Sequence, residues 1–536
     1  MGRYLILFLA LIAVIAAPVV LKPAVSARTR DFAPQDRLVI ITPHVEAIRF
    51  EFEIAFQQWM QEKHGRSVVI DWRVPGGTSE IAKVVTSEYQ ASLENYWRRH
   101  RPDPWRDSYG QEFLEAASKS EARTVWLASD AGIGIDLFFG GGSPDFSDMK
   151  KKGCLVTGDA KAGTGLAGVK AAHPDWFSDK AIPAKWAGET YIDPDLTWVG
   201  TCLSTFGLCY NLDFHQRRHL TALPRQWVDL TNPVYQNQVA LADPGKSGTV
   251  VKMLETILQQ AMQEAARGAT TPAAKNAAWD KGWIQGLTTI QRIGANARYW
   301  TDSSTKIPLD VSDGEAAAGM CIDFYARNFI DRLEQFNSGH SRMAFTLPVG
   351  GTTPSVDPIG MFRGAPNPEL ATRFIEFNLS MEGQRLWAYK KGAPGGPRQT
   401  SLRRLPVRRD YYVPANLAHA SDPDILPFTD GTALIYDASL TGSSFTAIRL
   451  VIRAMCIDTH DELKEAWAAL IENRFPPQAT AALGNFDMVN RANVTGTLTT
   501  TLRQGDKLVA AELSRNLAQQ FRQQYGHAAD LARRGM

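Results

Sequence analysis

Clusters of glycine and hydroxyl side chains occur where an apolar run gives way to a helical pattern. Unpaired N–H groups and the positive end of the helix dipole lie at such junctions, which therefore favour a bound anion. Glycine permits close backbone approach, and a hydroxyl adds one donor. The alternative of ordinary turns and helix caps stays open. The candidate oxyanion-binding residues here are Thr42, His44, Gly77, Thr78, Ser79, Gly141 and Gly142.

A further junction lies at residues 243–249. Its Gly245-Lys246-Ser247 resembles part of a phosphate-binding P-loop, but Ala240 stands where that motif has its first glycine. This spacing argues against nucleotide hydrolysis. Ser247, Gly248 and Thr249 can still donate to an anion from a second helix start.

Other motifs give no support for catalysis or for a metal site. His215 and His219 are four residues apart, but no Glu follows the first of them, and the two arginines between them indicate a solvated face. The sequence has no Gly-x-Ser-x-Gly elbow and no Cys-x-x-Cys. Its five cysteines are an odd number, so at least one is unpaired. We predict a protein that is not an enzyme and uses no cofactor.

Composition narrows the class of protein. At 536 residues the chain exceeds the size of one ordinary core, which predicts two or more lobes. Hydrophobic residues make up 44% and charged residues 21%, as in folded globular proteins. The 58 Lys and Arg nearly balance the 56 Asp and Glu, so the net charge of +2 provides no electrostatic footprint for nucleic acid.

The N-terminus predicts export. Arg3 precedes the apolar run Tyr4–Leu21, and Val25-Ser26-Ala27 has the small residues of a cleavage site. We therefore expect a signal peptide at residues 1–27 and a periplasmic mature protein. An uncleaved inner-membrane anchor is the open alternative, which Pro18 weakens.

The elements that position these clusters alternate between strand and helix. Leu38–Ile41 and Val68–Trp72 predict strands, and Val45–Lys63 predicts a helix between them. This alternation predicts an α/β fold with mostly parallel sheets flanked by helices, whose ligands bind beyond the strand ends. We expect lobe 1 at 36–200, with an insertion at about 96–123, lobe 2 at 205–345, a return to lobe 1 at 346–457, and a helical C-terminal region at 458–536.

A series of segments, in this order, resembles the periplasmic solute-binding proteins of ABC importers, in the ferric-ion-binding branch of the type II fold. The resemblance covers roughly residues 38–392 and implies a two-lobed monomer with the ligand cleft between its lobes. It also implies closure by a hinge motion and an ABC permease and ATPase as partners. The segments are Leu38–His44, Ile135–Gly140, Phe206–Asn211, Trp227–Leu230, Tyr235–Ala240, Asp243–Thr249, Asp313–Tyr325, Asp357–Ile359 and Gly364–Pro368.

The resemblance also suggests a ligand class. Ferric-ion members hold iron through a His, a Glu and two adjacent Tyr; here His44 matches the first, glycines occupy the position of the Glu, and Phe324-Tyr325 replaces the tyrosine pair. Iron bound by His44, Asp323 and Tyr325 is therefore the second choice, and a membrane-anchored sensor domain is the third. Relatives that carry phosphorylated sugars and phosphonates make a phosphorylated or phosphonate-type organic anion the first choice. Ser204, Asp323 and Tyr325 complete the predicted ligand-binding set.

Overall fold

A computed structural model of the chain describes residues 36–429, 434–503 and 507–536. The signal peptide predicted at residues 1–27 lies outside these ranges. Within them, no single helix has both the length and the apolarity needed to cross a membrane. One bent pair of helices, Ala438–Cys456 with His460–Glu472, meets these criteria only when taken together.

The strands form two main sheets and one small hairpin. In chain order they are β1 Arg37–Ile41, β2 Val69–Arg73, β3 Leu137–Phe139, β4 Leu155–Val156, β5 Lys185–Trp186, β6 Glu189–Thr190, β7 Val199–Ser204, β8 Phe206–Asn211, β9 Val239–Ala242, β10 Ala297–Thr301, β11 Ala318–Ile322, β12 Met343–Thr346, β13 Ser355–Phe362 and β14 Leu405–Pro406.

The helices flank these sheets and also form a separate C-terminal group, in which Asn493–Leu498 is π-helical. In chain order they are α1 Glu46–His64, α2 Thr78–His100, α3 Tyr109–Glu112, α4 Glu121–Ala128, α5 Ser143–Lys152, α6 Gly165–Ala172, α7 Leu212–Arg217, α8 Gly248–Ala265, α9 Pro272–Ala295, α10 Lys306–Asp313, α11 Asp323–Phe336, α12 Pro368–Leu379, α13 Met381–Ala388, α14 Pro414–Leu417, α15 Ala438–Thr441, α16 Phe445–Cys456, α17 His460–Glu472, α18 Pro477–Leu483, α19 Thr499–Arg503 and α20 Lys507–Arg533.

The first sheet has the order β14-β7-β13-β3-β1-β2, with β4 paired to β13, and the second has the order β10-β9-β11-β8-β12. The two sheets confirm the predicted two-lobed α/β fold. Their pairing is mixed, however, and the expectation of mostly parallel sheets was wrong. Strands β7 and β13 enter the first sheet antiparallel to their neighbours, and β8 and β12 do the same in the second. These are the strands next to the two connections between the sheets.

The chain passes between the sheets twice. Only Thr205 separates β7 of the first sheet from β8 of the second. Residues 347–354 make the return, from β12 to β13. Such short double connections confine relative movement of the lobes to a hinge at these residues.

Helix α1 shows how the sequence places the first lobe's core. Its apolar residues recur at helical spacing, so Ile48, Phe52 and Phe56 share one buried face. Phe52 lies 4.4 Å from the ring of Trp387, which comes from the returning chain. Gly65, at φ 64°, ends the helix in the left-handed conformation that glycine adopts without strain. The start of α1 is thereby held at the edge where β1 ends.

The C-terminal helices pack on the second lobe. Helix α16 contacts α8 and α9, and α17 and α20 extend the same layer. The Tyr525 hydroxyl donates to the carbonyl of Met455 at 2.9 Å, and the Gln291 amide donates to the Tyr525 oxygen at 3.2 Å. Residues 445–457, which we expected to belong to lobe 1, therefore lie against lobe 2. The apolar face of α16 packs against the sides of α8 and α9.

The segment predicted as an insertion at about 96–123 begins as the end of α2. Trp97 of this helix is fully buried, and its Nε1 donates to the carbonyl of Asp103 at 2.9 Å. Its ring packs 4.8 Å from that of Tyr109. Burial of Trp97 and its contacts with Asp103 and Tyr109 thus attach this polar segment to α2 of the first lobe.

Candidate functional site

A cleft of about 630 Å³ lies between the two lobes. Loops that follow the strands of both sheets form its wall. Of the residues predicted to bind ligand, ten line this cleft: His44, Gly77, Thr78, Gly141, Gly142, Ser204, Ser247, Gly248, Thr249 and Tyr325. Residues far apart in the sequence are thus brought to one surface.

Three predicted residues lie outside the wall of the cleft. Thr42 is fully buried, and its Oγ1 accepts the N–H of His44 at 3.1 Å, so it shapes the loop before α1. Ser79 lies in the first turn of α2 and is not among the residues that line the cleft. Asp323 is buried beneath the cleft, where its Oδ2 accepts from the Thr205 hydroxyl and pairs with Arg327. Thr42 and Asp323 differ from the expected positions because their side chains satisfy the protein's own backbone or charge.

Four helices begin at the cleft, and none of their N-caps makes a side-chain capping hydrogen bond. The N-cap residues are Val45 of α1, Gly77 of α2, Gly142 of α5 and Ser247 of α8. Thr78 and Ser79 were considered as the cap of α2, and this was wrong because Gly77 occupies that position. Free N–H groups at all four starts make this region favourable for negative charge.

His44 presents an uncharged ring to the cleft. Its Nε2 is buried and has no hydrogen-bond partner among the described residues. Burial, followed by the charges of Arg404 and Arg49, holds the pKa of His44 well below its usual value. A Cβ at Gly140, where φ is +87°, would lie 2.3 Å from this Nε2, so only glycine fits beside the ring.

Arg404 is a cleft residue that the sequence reasoning missed. Its guanidinium is buried, pairs with Asp357 at 2.8 Å and donates to Oγ of Ser204 at 2.5 Å. It also lies 4.3 Å from the ring centre of Phe324, while its Nε has no partner among the described residues. Burial is the largest effect and opposes its charge, but Asp357, Cys202 and Asp323 together outweigh burial and raise the pKa of Arg404. A fixed positive charge is therefore present in the wall.

Arg49 supplies a second positive charge. It lies on the first turn of α1 and lines the cleft near His44. Its buried Nε has no hydrogen bond, and its guanidinium has no ion pair within the described ranges. The cleft therefore has one basic end, where Arg49 and Arg404 lie beside the neutral ring of His44 and the hydroxyl of Ser204.

Asp145 was also missed by the sequence reasoning. It lies in the first turn of α5 and lines the same cleft. Burial raises the pKa of Asp145 to about 6, and the positive charge of Arg449 acts in the opposite direction. Ser, Pro and Asp are common in the first turn of any helix, so this sequence did not indicate that Asp145 lies at the cleft.

Lys252, on α8, contributes little positive charge to the cleft because acids surround it. Its Nζ lies 3.0 Å from Glu189, 3.3 Å from Glu255 and 3.2 Å from the ring centre of Tyr436. The Tyr436 hydroxyl donates to Glu255 at 3.0 Å. This buried group ties the β5–β6 hairpin to the second lobe.

The two sheets, their double connection and the cleft between them give the chain a two-lobed α/β fold. Residues 166–409 match the model of the family of bacterial extracellular solute-binding proteins. This match confirms the predicted resemblance for that part of the chain.

Individual proteins are similar over part of their length. The phosphoglycerate transport regulatory protein PgtC of Salmonella typhimurium is 28% identical over 193 residues, which are 36% of this chain and 41% of that protein. The chain thus aligns with less than half of this relative.

Two solved structures are also similar to this chain. The periplasmic binding protein AfuA of Actinobacillus pleuropneumoniae, with fructose-6-phosphate bound, has a TM-score of 0.44 and 16% identity over 65% of this chain and 81% of that one. Iron-bound HitA of Pseudomonas aeruginosa has a TM-score of 0.44 and 14% identity over 78% of this chain and 99% of that one.

Proposed function

We propose that the chain is the extracytoplasmic solute-binding component of an ABC transporter and captures a small organic anion, of the phosphorylated or phosphonate type, by closure of its lobes. The observation that carries this proposal is the unpaired guanidinium of Arg49 beside the buried, unpartnered nitrogens of His44 and Arg404. A buried donor without an acceptor costs free energy, which a bound anion recovers. The free N–H groups at the start of α1 add donors to this end.

The size of the cleft supports an organic ligand over a bare ion. Pockets for small organic molecules have volumes of roughly 300–1,000 Å³, and this cleft of about 630 Å³ falls within that range. Phe206 and Phe324 in the wall provide apolar contact for the carbon skeleton. The anionic group then lies at the basic end and the remainder extends along the cleft.

Iron is a weaker candidate on this geometry. Asp323, one of the three suggested iron ligands, is paired with Arg327 beneath the cleft. Burial raises the pKa of Tyr325 to about 12, which disfavours the phenolate that Fe(III) requires. His44 alone is too poor a donor set for a hard cation.

Native mass spectrometry of freshly purified protein tests the ligand class. We expect a co-purified organic anion that is lost, or bound at least about ten-fold more weakly, after Arg49→Gln, because charge-assisted hydrogen bonds are removed. Arg99→Gln, at an exposed arginine of α2, is the matched control and should retain the ligand. A neutral or cationic ligand, or full retention by Arg49→Gln, contradicts the proposal.

The proposed location and partners need a separate experiment. We expect the full-length protein, expressed in a Gram-negative cell, to appear in the periplasmic fraction and to begin near Arg28. Retention of residues 1–27 on membrane-bound protein contradicts cleavage and favours the anchored form. Stimulation of ATP hydrolysis in a reconstituted permease and ATPase by the purified protein is the measurement for its partners.

A further inference from the structure

Asp145 lies where the two lobes approach each other. A Cβ at Gly248, the first residue of α8 in the second lobe, would lie 3.0 Å from Oδ2 of Asp145 and 3.1 Å from Oγ1 of Thr78. A Cβ at the nearby Gly77 would lie 2.8 Å from the carbonyl oxygen of Lys246. The carboxylate of the first lobe is thus enclosed by the second, while its residue still lines the cleft.

The charge of this carboxylate is only partly compensated. No cation lies within 4 Å of it in the described parts of the chain, and Arg449 of α16 acts from farther away. Asp148, on the next turn of α5, opposes ionisation, and Lys246 and Glu80 also line this side of the cleft. Burial raises the pKa of Asp145 to about 6, so the group is mostly ionised at neutral pH and at a cost in free energy.

The Thr78 hydroxyl lies near the same part of the cleft as the Asp145 carboxylate. Thr78 is only 7% exposed and lines the cleft. Its Oγ1 makes no hydrogen bond of good geometry in the residues described, although it lies close enough to Asp145 to favour the ionised carboxylate. A half-buried carboxylate with no cation within 4 Å in the described ranges and a buried hydroxyl therefore adjoin the cavity. Buried polar groups are nearly always satisfied, so their partner is expected to come from the ligand.

Resting on the proposed function, we propose that Asp145 is a specificity-determining residue that accepts a hydrogen bond from an ammonium or hydroxyl group of the ligand. The cleft then selects organic anions that carry such a donor in addition to the anionic group. The anion lies at the end formed by His44, Arg49 and Arg404, and the donor lies between Asp145 and Thr78. A ligand without a donor leaves the carboxylate buried and unpaired when the lobes close.

A matched series of three probes tests this selectivity: propyl phosphate, glycerol 3-phosphate and 3-aminopropyl phosphate. Isothermal titration calorimetry of the purified protein measures their dissociation constants. We expect the two probes with donors to bind about ten-fold or more tightly than propyl phosphate. Asp145→Asn should remove this preference for 3-aminopropyl phosphate and leave the affinity for propyl phosphate unchanged or higher.

A control variant and the pattern of results separate the two proposals. Asp148→Asn removes the same charge from an exposed position on α5 and should leave the preference intact. Equal affinity for all three probes in the wild type, or an unchanged preference in Asp145→Asn, overturns the role of Asp145 alone. Absence of binding by every probe overturns the proposed function and this inference with it.

Discussion

The hydroxyl of Thr205 donates a hydrogen bond of 2.9 Å to Oδ2 of Asp323, at the single residue where the chain first passes from one sheet to the other. The same carboxylate pairs with Arg327 and accepts the N–H of Phe324 at 2.8 Å through Oδ1. The hinge is thereby fixed to the start of α11. When the lobes move, they therefore pivot about Thr205, which the buried carboxylate of Asp323 holds in place.

Replacing Thr205 by Val should weaken this hinge. Removal of the hydroxyl leaves buried Asp323 one donor short, and a lost hydrogen bond to a buried charged group costs about 1.5–3 kcal/mol. We expect the free energy of unfolding, measured by urea denaturation, to fall by about that amount. Thr124→Val, at an exposed residue whose hydroxyl bonds its own helix at 3.1 Å, should change stability far less. Equal effects of the two substitutions contradict this role.

Gly248→Ala should hinder closure. The added methyl would lie 3.0 Å from Asp145 and 3.1 Å from Thr78, which is closer than most Cβ contacts, so these side chains must move away from α8. We expect small-angle X-ray scattering to give a larger radius of gyration than for the wild type. Gly526→Ala, in a helix where a Cβ meets nothing within 4 Å, is the control and should leave the radius unchanged. An unaltered radius in Gly248→Ala means that this contact does not limit closure.

Asp145 should make stability depend on pH. Its folded-state pKa of about 6 lies above the ordinary 3.8, so the folded state binds the proton more tightly. The stability that it contributes is full below about pH 4 and is lost as pH rises through about 6. Asp145→Asn should therefore be more stable than the wild type by about 3 kcal/mol at pH 7.5 and nearly equal to it at pH 4. Thermal denaturation across this range measures the difference, and a pH-independent difference contradicts the assignment.

Loss of the Lys252 ammonium should destabilise the protein strongly. Lys252→Met leaves Glu189 and Glu255 buried without their cation, and such one-sided removal typically costs about 3–5 kcal/mol. Chemical denaturation of the variant measures this loss. Lys275→Met, at an exposed lysine of α9, should be nearly neutral. A small effect of Lys252→Met shows that the two glutamates are protonated in the folded state.

The sequence predicted the helix starts well, because strand-to-helix junctions have a local signature. Glycine and hydroxyl residues after an apolar run marked Gly77, Gly142 and Ser247, which the fold then gathers at one cleft. Asp323 was expected in the wall as a substitute for a missing anionic ligand of iron. The first turn of α11 instead directs its carboxylate towards Thr205. The direction of a side chain within a helical turn depends on which hydrogen-bond and charge partners lie nearby in the fold, and sequence spacing does not reveal these partners.

Arg404 was missed for a different reason. It belongs to a run of arginines that reads as a surface loop, and its position depends on pairing of β14 with β7. That pairing brings Arg404 to Ser204, 200 residues away in the sequence. Asp145 is similar, because only the approach of α8 makes its ordinary helix-start position a buried one. Contacts between segments that are distant in the sequence place both residues at the cleft, and no local sequence pattern indicates this position.

The packing of α20 on the second lobe has a consequence for the order of folding. Phe521 and Tyr525 of this last helix are fully buried, and Tyr525 bonds both α9 and α16. Helix α20 is synthesised after the other described elements of the second lobe, so the packing of that lobe stays incomplete until this helix has been made. The first lobe can assemble without these residues, whereas the second requires α20. Partial translation products should consequently expose the apolar sides of α8 and α9 and be ready substrates for chaperones and proteases.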